Sequence, residues 1–194
     1  MENINNFGSP AVVALNRFPD DTEEEIELLS KFCADKGWKM EVSEVFAKGS
    51  EGGKAVAKAI IQTINDNPTK GVNYTYDLED PIKTKIKKVA QQIYGADDVE
   101  YTAGARGRIR SLEKRGYGNL PICIAKTQFS LSDQSGLKGR PTGFSVEVQG
   151  ADVSNGAGFI VIYMGDIRLM PGLPEEPAAL GMDVDEDGNI SGVF

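Results

Sequence analysis

Apolar and polar positions change period along this chain, and each period predicts a different element. Ala11–Leu15 is a short continuous apolar run ending at Asn16, which suits a fully buried parallel strand. Asp21 and Thr22 can cap a helix, and Thr22 with Glu25 fits a capping box. The helix that follows places Ile26, Leu29, Phe32 and Cys33 on one face and stops at Gly37. Lys39–Phe46 reads as the next strand, Ala47–Gly53 as a glycine-rich loop, and Lys54–Asn67 as a second helix closed by Pro68. That alternation predicts parallel pairing through right-handed crossovers.

Tyr74–Asp80 reads as a loop, with Pro81 in the first turn of a helix over Ile82–Tyr94. A third helical segment spans about Ala103–Arg115, although it contains Gly104 and Gly107. The texture changes at Gly116–Asn119. Beyond it lie three extended runs, Leu120–Lys126, Thr142–Gln149 and Gly158–Met164, separated by Gly, Pro and Ser turns. Phe144, Val146 and Val148 alternate with Ser145 and Glu147, as in a half-buried strand. The second part is therefore expected to be a mostly antiparallel sheet, and Pro171–Phe194 to wrap its surface. No internal repeat is visible.

Composition narrows the function classes. A chain of 194 residues with 40% apolar and 26% charged content can bury one large core or two small ones. The net charge of −8 and a basic cluster no longer than Lys83–Lys88 argue against nucleic acid as a partner. The longest apolar run, Ala157–Gly165, is far shorter than the roughly 20 residues that span a bilayer, so no membrane partner is expected. Met1–Asn6 is polar and acidic, unlike a signal peptide, and a cytoplasmic location is expected. Cys33 and Cys123 are too few for a disulfide framework and read as small core residues. With no histidine, Ser–His–Asp and Cys–His nucleophile systems are excluded, and the commonest metal ligand is missing.

Several strings imitate known sites. In EVFAKGSEGGK, Gly53-Lys54 opens a helix, but Lys48 stands where a P-loop needs its first glycine and Ala55 replaces Ser/Thr. What remains is either an anion site at a helix N-terminus or a turn that uses glycine only for positive φ. Arg17 reads equally as a partner for a carboxylate or phosphate and as an exposed arginine. The tail MDVDEDGNISGVF has Asp183, Asp185, Asp187 and Gly188 at calcium-loop spacing. Phe194 stands where the bidentate Glu is required, so a turn built on Asp-Gly is expected. Gly156-Ala157-Gly158 precedes a strand rather than following one, unlike a dinucleotide fingerprint. Lys83, Lys85, Lys87 and Lys88 read as a solvated helix face.

No general rule generates NLPICIAKTQFSLSD from Asn119, or GDIRLMPGLP from Gly165. These strings resemble the C-terminal end of formate–tetrahydrofolate ligase, as do LNRFPDDT (Leu15–Thr22), EVFAKGSEGG (Glu44–Gly53) and YGADDVEYT (Tyr94–Thr102), in the same order. The resemblance runs from Glu2 to Phe194. It implies an α/β fold: the C-terminal part of a mostly parallel P-loop-type sheet with helices over 1–118, then a small, mostly antiparallel, roll-like α+β domain over 119–194.

The resemblance also implies an activity. The full enzyme is a C–N ligase that uses ATP and magnesium to join formate to tetrahydrofolate through formyl phosphate. In the family, the phenylalanine of NRFP, here Phe18, and an aromatic at Phe46, commonly tryptophan, stack on the pterin or the nucleotide base. Asn16, Arg17, Pro19, Gly49 and Gly52 border the same cleft. The phosphate clamp belongs to the family's N-terminal part, which this chain does not match, so no catalytic residue is named. The expectation is a portion of the ligase, inactive alone, whose partner is the missing N-terminal portion; the family forms homotetramers. The alternatives are a non-catalytic pterin- or purine-binding module and a subunit-assembly module.

Overall fold

The computed structural model describes residues 1–68, 71–127, 130–165, 167 and 175–192. The Met170–Pro174 string, Gln128 and Phe194 lie outside the described residues.

A short helix α1 (Glu2–Asn6) precedes strand β1 (Val13–Asn16). Helix α2 (Glu23–Asp35) starts at the expected capping box: the Glu25 N–H donates to Thr22 Oγ1 at 3.3 Å, and the Thr22 N–H donates to the Glu25 carboxylate at 3.0 Å. It stops before Gly37, whose φ of 69° lets the Trp38 N–H reach back to the Cys33 carbonyl at 2.8 Å. Strand β2 (Met40–Ser43) pairs parallel with β1, from Val13 opposite Met40 to Asn16 opposite Ser43.

The expected strand over Lys39–Phe46 ends early. Val45–Lys48 forms a helical turn, α3, and Gly49–Gly53 a 3₁₀ turn, before α4 (Lys54–Asp66). The break is local: the Glu44 carbonyl accepts from the Ala47 and Lys48 N–H groups, and the Glu44 N–H donates to Gly52. The expected apolar face of α2 is also only partly used. Ile26 and Cys33 are buried, while Leu29 and Phe32 remain exposed, as do Ile60, Ile61 and Ile64 on α4.

The main core lies elsewhere. Helix α5 (Ile82–Val89) begins after Pro81, continues through a π turn at Ala90–Tyr94 and ends at Gly95 in the left-handed region. It is followed by β3 (Asp98–Tyr101), α6 (Ala103–Lys114), β4 (Ile122–Ala125), β5 (Ser145–Ser154) and β6 (Phe159–Met164). These strands form one sheet in the order β3-β5-β6-β4. Val146, Val148, Ile160, Ile162 and Met164 meet Ile82, Ile86, Ile109 and Leu112 of α5 and α6 in a fully buried cluster.

The sheet is mixed, not mostly antiparallel. Within it β5–β6 is antiparallel, while β3–β5 and β4–β6 are parallel. The cause is connection length. A tight Ser154–Gly158 turn joins β5 to β6, whereas each parallel pair is bridged by a long crossover. Strand β3, only four residues long and followed at once by a well-capped helix, is not marked by any sequence pattern, and it brings residues 98–101 into the sheet with strands that follow residue 118.

Two side chains depart from expectation. Lys85 is fully buried rather than on a solvated face, because one turn of α5 lies against the segment leading into β4. Cys123 is exposed, since edge strand β4 turns that side away from the helices, whereas Cys33 is buried as expected. The tail makes a small hairpin, β7 (Asp183–Val184) with β8 (Ile190–Ser191). Its turn is of the expected Asp-Gly kind: Asp185 accepts from the Asp187 and Asn189 N–H groups, and Gly188 has φ 83°. Among the described residues, no helix is long and apolar enough to cross a membrane.

Candidate functional site

The C-terminal ends of β1 and β2 lie side by side, the position at which open parallel α/β sheets present ligand-contacting loops. Register places Asn16 beside Ser43, and the Arg17 N–H extends the ladder by donating to the Ser43 carbonyl at 2.9 Å. The chain then turns. The Phe18 N–H donates to the Asp21 carboxylate at 2.7 Å, and the Asp21 N–H returns to the Phe18 carbonyl at 3.1 Å. This closed turn holds Phe18 and Pro19 at the surface.

From the neighbouring strand, α3 presents Phe46. The Phe18 and Phe46 ring centroids are 5.3 Å apart with planes tilted by 49°, within the range of favourable aromatic pairs. The rings are 46% and 66% exposed, a large apolar area left to water. A flat ring held between them would require the rings to part to about 7 Å, two van der Waals spacings. In this conformation they touch each other instead.

Glycine shapes the loop in two ways. Gly49 has φ 58° and ψ −142°, a backbone region that side chains avoid. Gly52 is required by space: a Cβ there would lie 2.4 Å from the Glu44 carbonyl carbon and oxygen. Of the two readings left open for this loop, the turn that uses glycine only for positive φ fits Gly49 but not Gly52, whose place is set by its close approach to the Glu44 backbone. The amide groups at the start of α4 receive no side-chain cap from Gly53.

The charged side chains around the pair are matched with opposite sign. Arg17 Nη2 contacts the Glu23 carboxylate at 2.6 Å, Lys48 pairs with Glu44 at 2.6 Å and Lys54 with Glu51 at 2.6 Å. The hydrogen bond from Lys48 holds the Glu44 carboxyl below its ordinary value, with Arg17 adding to the effect at longer range. Each nearby cation thus faces a carboxylate, an arrangement unlike an open phosphate clamp. Sequence reasoning does not single out Glu23, Glu44 or Glu51. The available signal is spacing, since Glu44/Lys48 and Glu51/Lys54 are helical i,i+4 and i,i+3 pairs. Among the described residues, no group of three or more His, Cys, Asp or Glu could hold a metal ion.

Asn16, Arg17, Phe18 and Pro19 therefore share one strand end, Phe46 meets Phe18 from the next, and Gly49 and Gly52 set the path between α3 and α4. This arrangement can bind one face of a flat heterocycle; it contains no acid–base pair poised for proton transfer. The family model described as formate–tetrahydrofolate ligase matches residues 1–194, the whole length of the chain.

Proposed function

The chain belongs to the formate–tetrahydrofolate ligase family, and from that premise we propose that it supplies the folate- or nucleotide-stacking wall of the ligase cleft. The family's reaction is ATP-dependent joining of formate to tetrahydrofolate. In this reading Phe18 and Phe46 part to receive the pterin or the base. Arg17, buttressed by Glu23 and near Glu44, orients a polar edge of the same ring. Gly49 and Gly52 keep the loop low enough for the ligand to approach. The observation that carries the reading is the exposed Phe18–Phe46 pair at the ends of two adjacent parallel strands.

The chain acts here as the C-terminal portion of the ligase. Formation of formyl phosphate, and the clamp on ATP and its magnesium, belong to a further portion that completes the cleft. The exposed Leu28, Leu29 and Phe32 of α2 and Ile60, Ile61 and Ile64 of α4 support such a portion, since large apolar side chains left to water on helices mark surfaces that a partner covers. Homo-oligomer formation and a cytoplasmic location follow from the family reading. A second reading, a binding module without catalysis, is favoured by the paired cations and by a main core that lies apart from this site.

The test is formate- and ATP-dependent production of 10-formyltetrahydrofolate by the chain alone and mixed with the N-terminal portion of a related ligase. Activity in the mixture only is expected. In that mixture, Phe46→Ala should raise the tetrahydrofolate KM by about fivefold or more, the scale of one lost ring stack. An unchanged KM removes the stacking role. No activity with both portions folded leaves the binding-module reading.

A further inference from the structure

We infer that a second cavity, between the N-terminal segment, residues 71–79 and the entry to β4, binds a flat aromatic ligand bearing a protonated nitrogen. The cavity holds about 780 Å³ and is walled by Phe7, Val72, Tyr74, Tyr76, Leu78 and Pro121. That volume falls within the roughly 300–1,000 Å³ of small-ligand sites and far exceeds what one inserted side chain fills. None of its lining residues belongs to the Phe18–Phe46 site, and the inference does not rest on the ligase reading.

The walls are tied in place. The Tyr76 hydroxyl accepts from the Ile122 N–H at 3.0 Å and donates to the Ile122 carbonyl at 3.4 Å, fixing its ring against the edge strand. On the opposite side, the Asn73 N–H donates to the Phe7 carbonyl at 2.9 Å and joins the loop to the N-terminal segment. At the mouth, Tyr74 is 86% exposed, a large ring that gains contact only when something covers it.

Charge selects the ligand. Asp77 and Glu79 line the same cavity, both are exposed, and neither forms an ion pair among the described residues. Their neighbour Asp80 is already committed to Lys88 at 2.6 Å and to the Asp77 N–H at 3.1 Å. Two such carboxylates on a chain of net charge −8 repel phosphates and carboxylates and attract cations. The exposed face of Tyr74 adds cation–π attraction, whereas the Tyr76 ring already has Lys85 Nζ 5.9 Å from its centroid. A planar cation meets all three features, whereas an anionic ligand meets only the apolar wall.

The test is a fluorescence titration with proflavine, a flat tricyclic cation, and with anilinonaphthalene sulfonate, an anion of similar size. The chain should bind one proflavine about tenfold or more tighter than the anion. Tyr74→Ala should weaken proflavine by about fivefold with an unchanged thermal melt, because its ring is exposed in the free protein. The double variant Asp77→Asn/Glu79→Gln should erase the preference for the cation, and in the Phe46→Ala variant, which removes the other stacking pair, saturable proflavine binding should persist. The inference is overturned if proflavine does not saturate, if its binding survives both cavity variants, if the anion binds equally well, or if Phe46→Ala abolishes binding. Only the last outcome would move the ligand to the Phe18–Phe46 site, so failure here leaves the ligase reading untouched.

Discussion

Lys85 carries an ammonium group into the interior, where its side chain is 0% exposed. It donates to the Gly118 carbonyl at 2.7 Å and the Leu120 carbonyl at 2.9 Å, fastening α5 to the segment that enters β4. Burial pulls its pKa below the ordinary lysine value, partly offset by Asp80, Glu79 and Glu113. Lys85→Ala leaves both carbonyls unsatisfied and opens a cavity, and should cost ~2–4 kcal/mol in urea unfolding. Lys85→Met, which fills the volume, should fall between that variant and the wild type. Exposed Lys83→Ala should stay within about 0.5 kcal/mol of the wild type. Helical period sets Lys85 on the stripe of Ile82 and Ile86, apart from Lys83 and Lys87, but the carbonyls that satisfy its buried ammonium come from a distant segment.

At the scale of elements, the turn from β2 into α4 shows where local patterns mislead. Val42, Val45 and Phe46 extend an apolar run that reads as strand, yet Glu44 already belongs to the next turn. Gly52 makes that turn possible by lying against the Glu44 backbone. A methyl group at 2.4 Å from that carbonyl forces the backbone apart, so Gly52→Ala should destabilise the protein by ~1–3 kcal/mol and displace Phe46. The contrast is Gly107, which sits inside α6 with nothing within 4 Å of where a methyl group would lie. Gly107→Ala should stabilise by ~0.5–1 kcal/mol through helix propensity alone, and urea midpoints of the two variants should move in opposite directions. The N-terminus of α2 was fully legible, because Thr22 and Glu25 satisfy each other across three residues. The start of α3 was not, because its decisive hydrogen bond reaches from Glu44 to Gly52.

For the whole molecule, the alkaline limb of stability reports how the sheet edge is covered. Tyr101 of β3 lies beneath Lys83, 5.0 Å from its Nζ, and its hydroxyl donates to the Lys83 carbonyl at 3.4 Å. Burial pushes the Tyr101 hydroxyl up to about 12 from an ordinary 10.0. Above the ordinary value the unfolded chain loses this proton while the folded protein keeps it. This contribution to stability is therefore complete below pH 10.0 and is lost as pH rises towards about 12. Tyr101→Phe should lack that part of the decline, so the stability difference between wild type and variant should change across this interval in urea unfolding at stepped pH.

The sequence by itself determined the features whose partners lie within a few residues. These include the capping box at Thr22, the stop at Gly37, the Asp-Gly turn of the tail and the alternation through Phe144, Val146 and Val148. It also placed Phe18 and Phe46 near the ends of neighbouring strands, through the apolar runs that lead to them, while their stacking role comes from the family strings. Tertiary structure alone decided that β3 joins the later strands, that the sheet is mixed, that Lys85 is buried and Cys123 exposed, and that the two phenylalanine rings touch. The physical reason is range. Local hydrogen bonds and side-chain period are written in adjacent residues, whereas strand order and burial depend on which distant surfaces meet and exclude water.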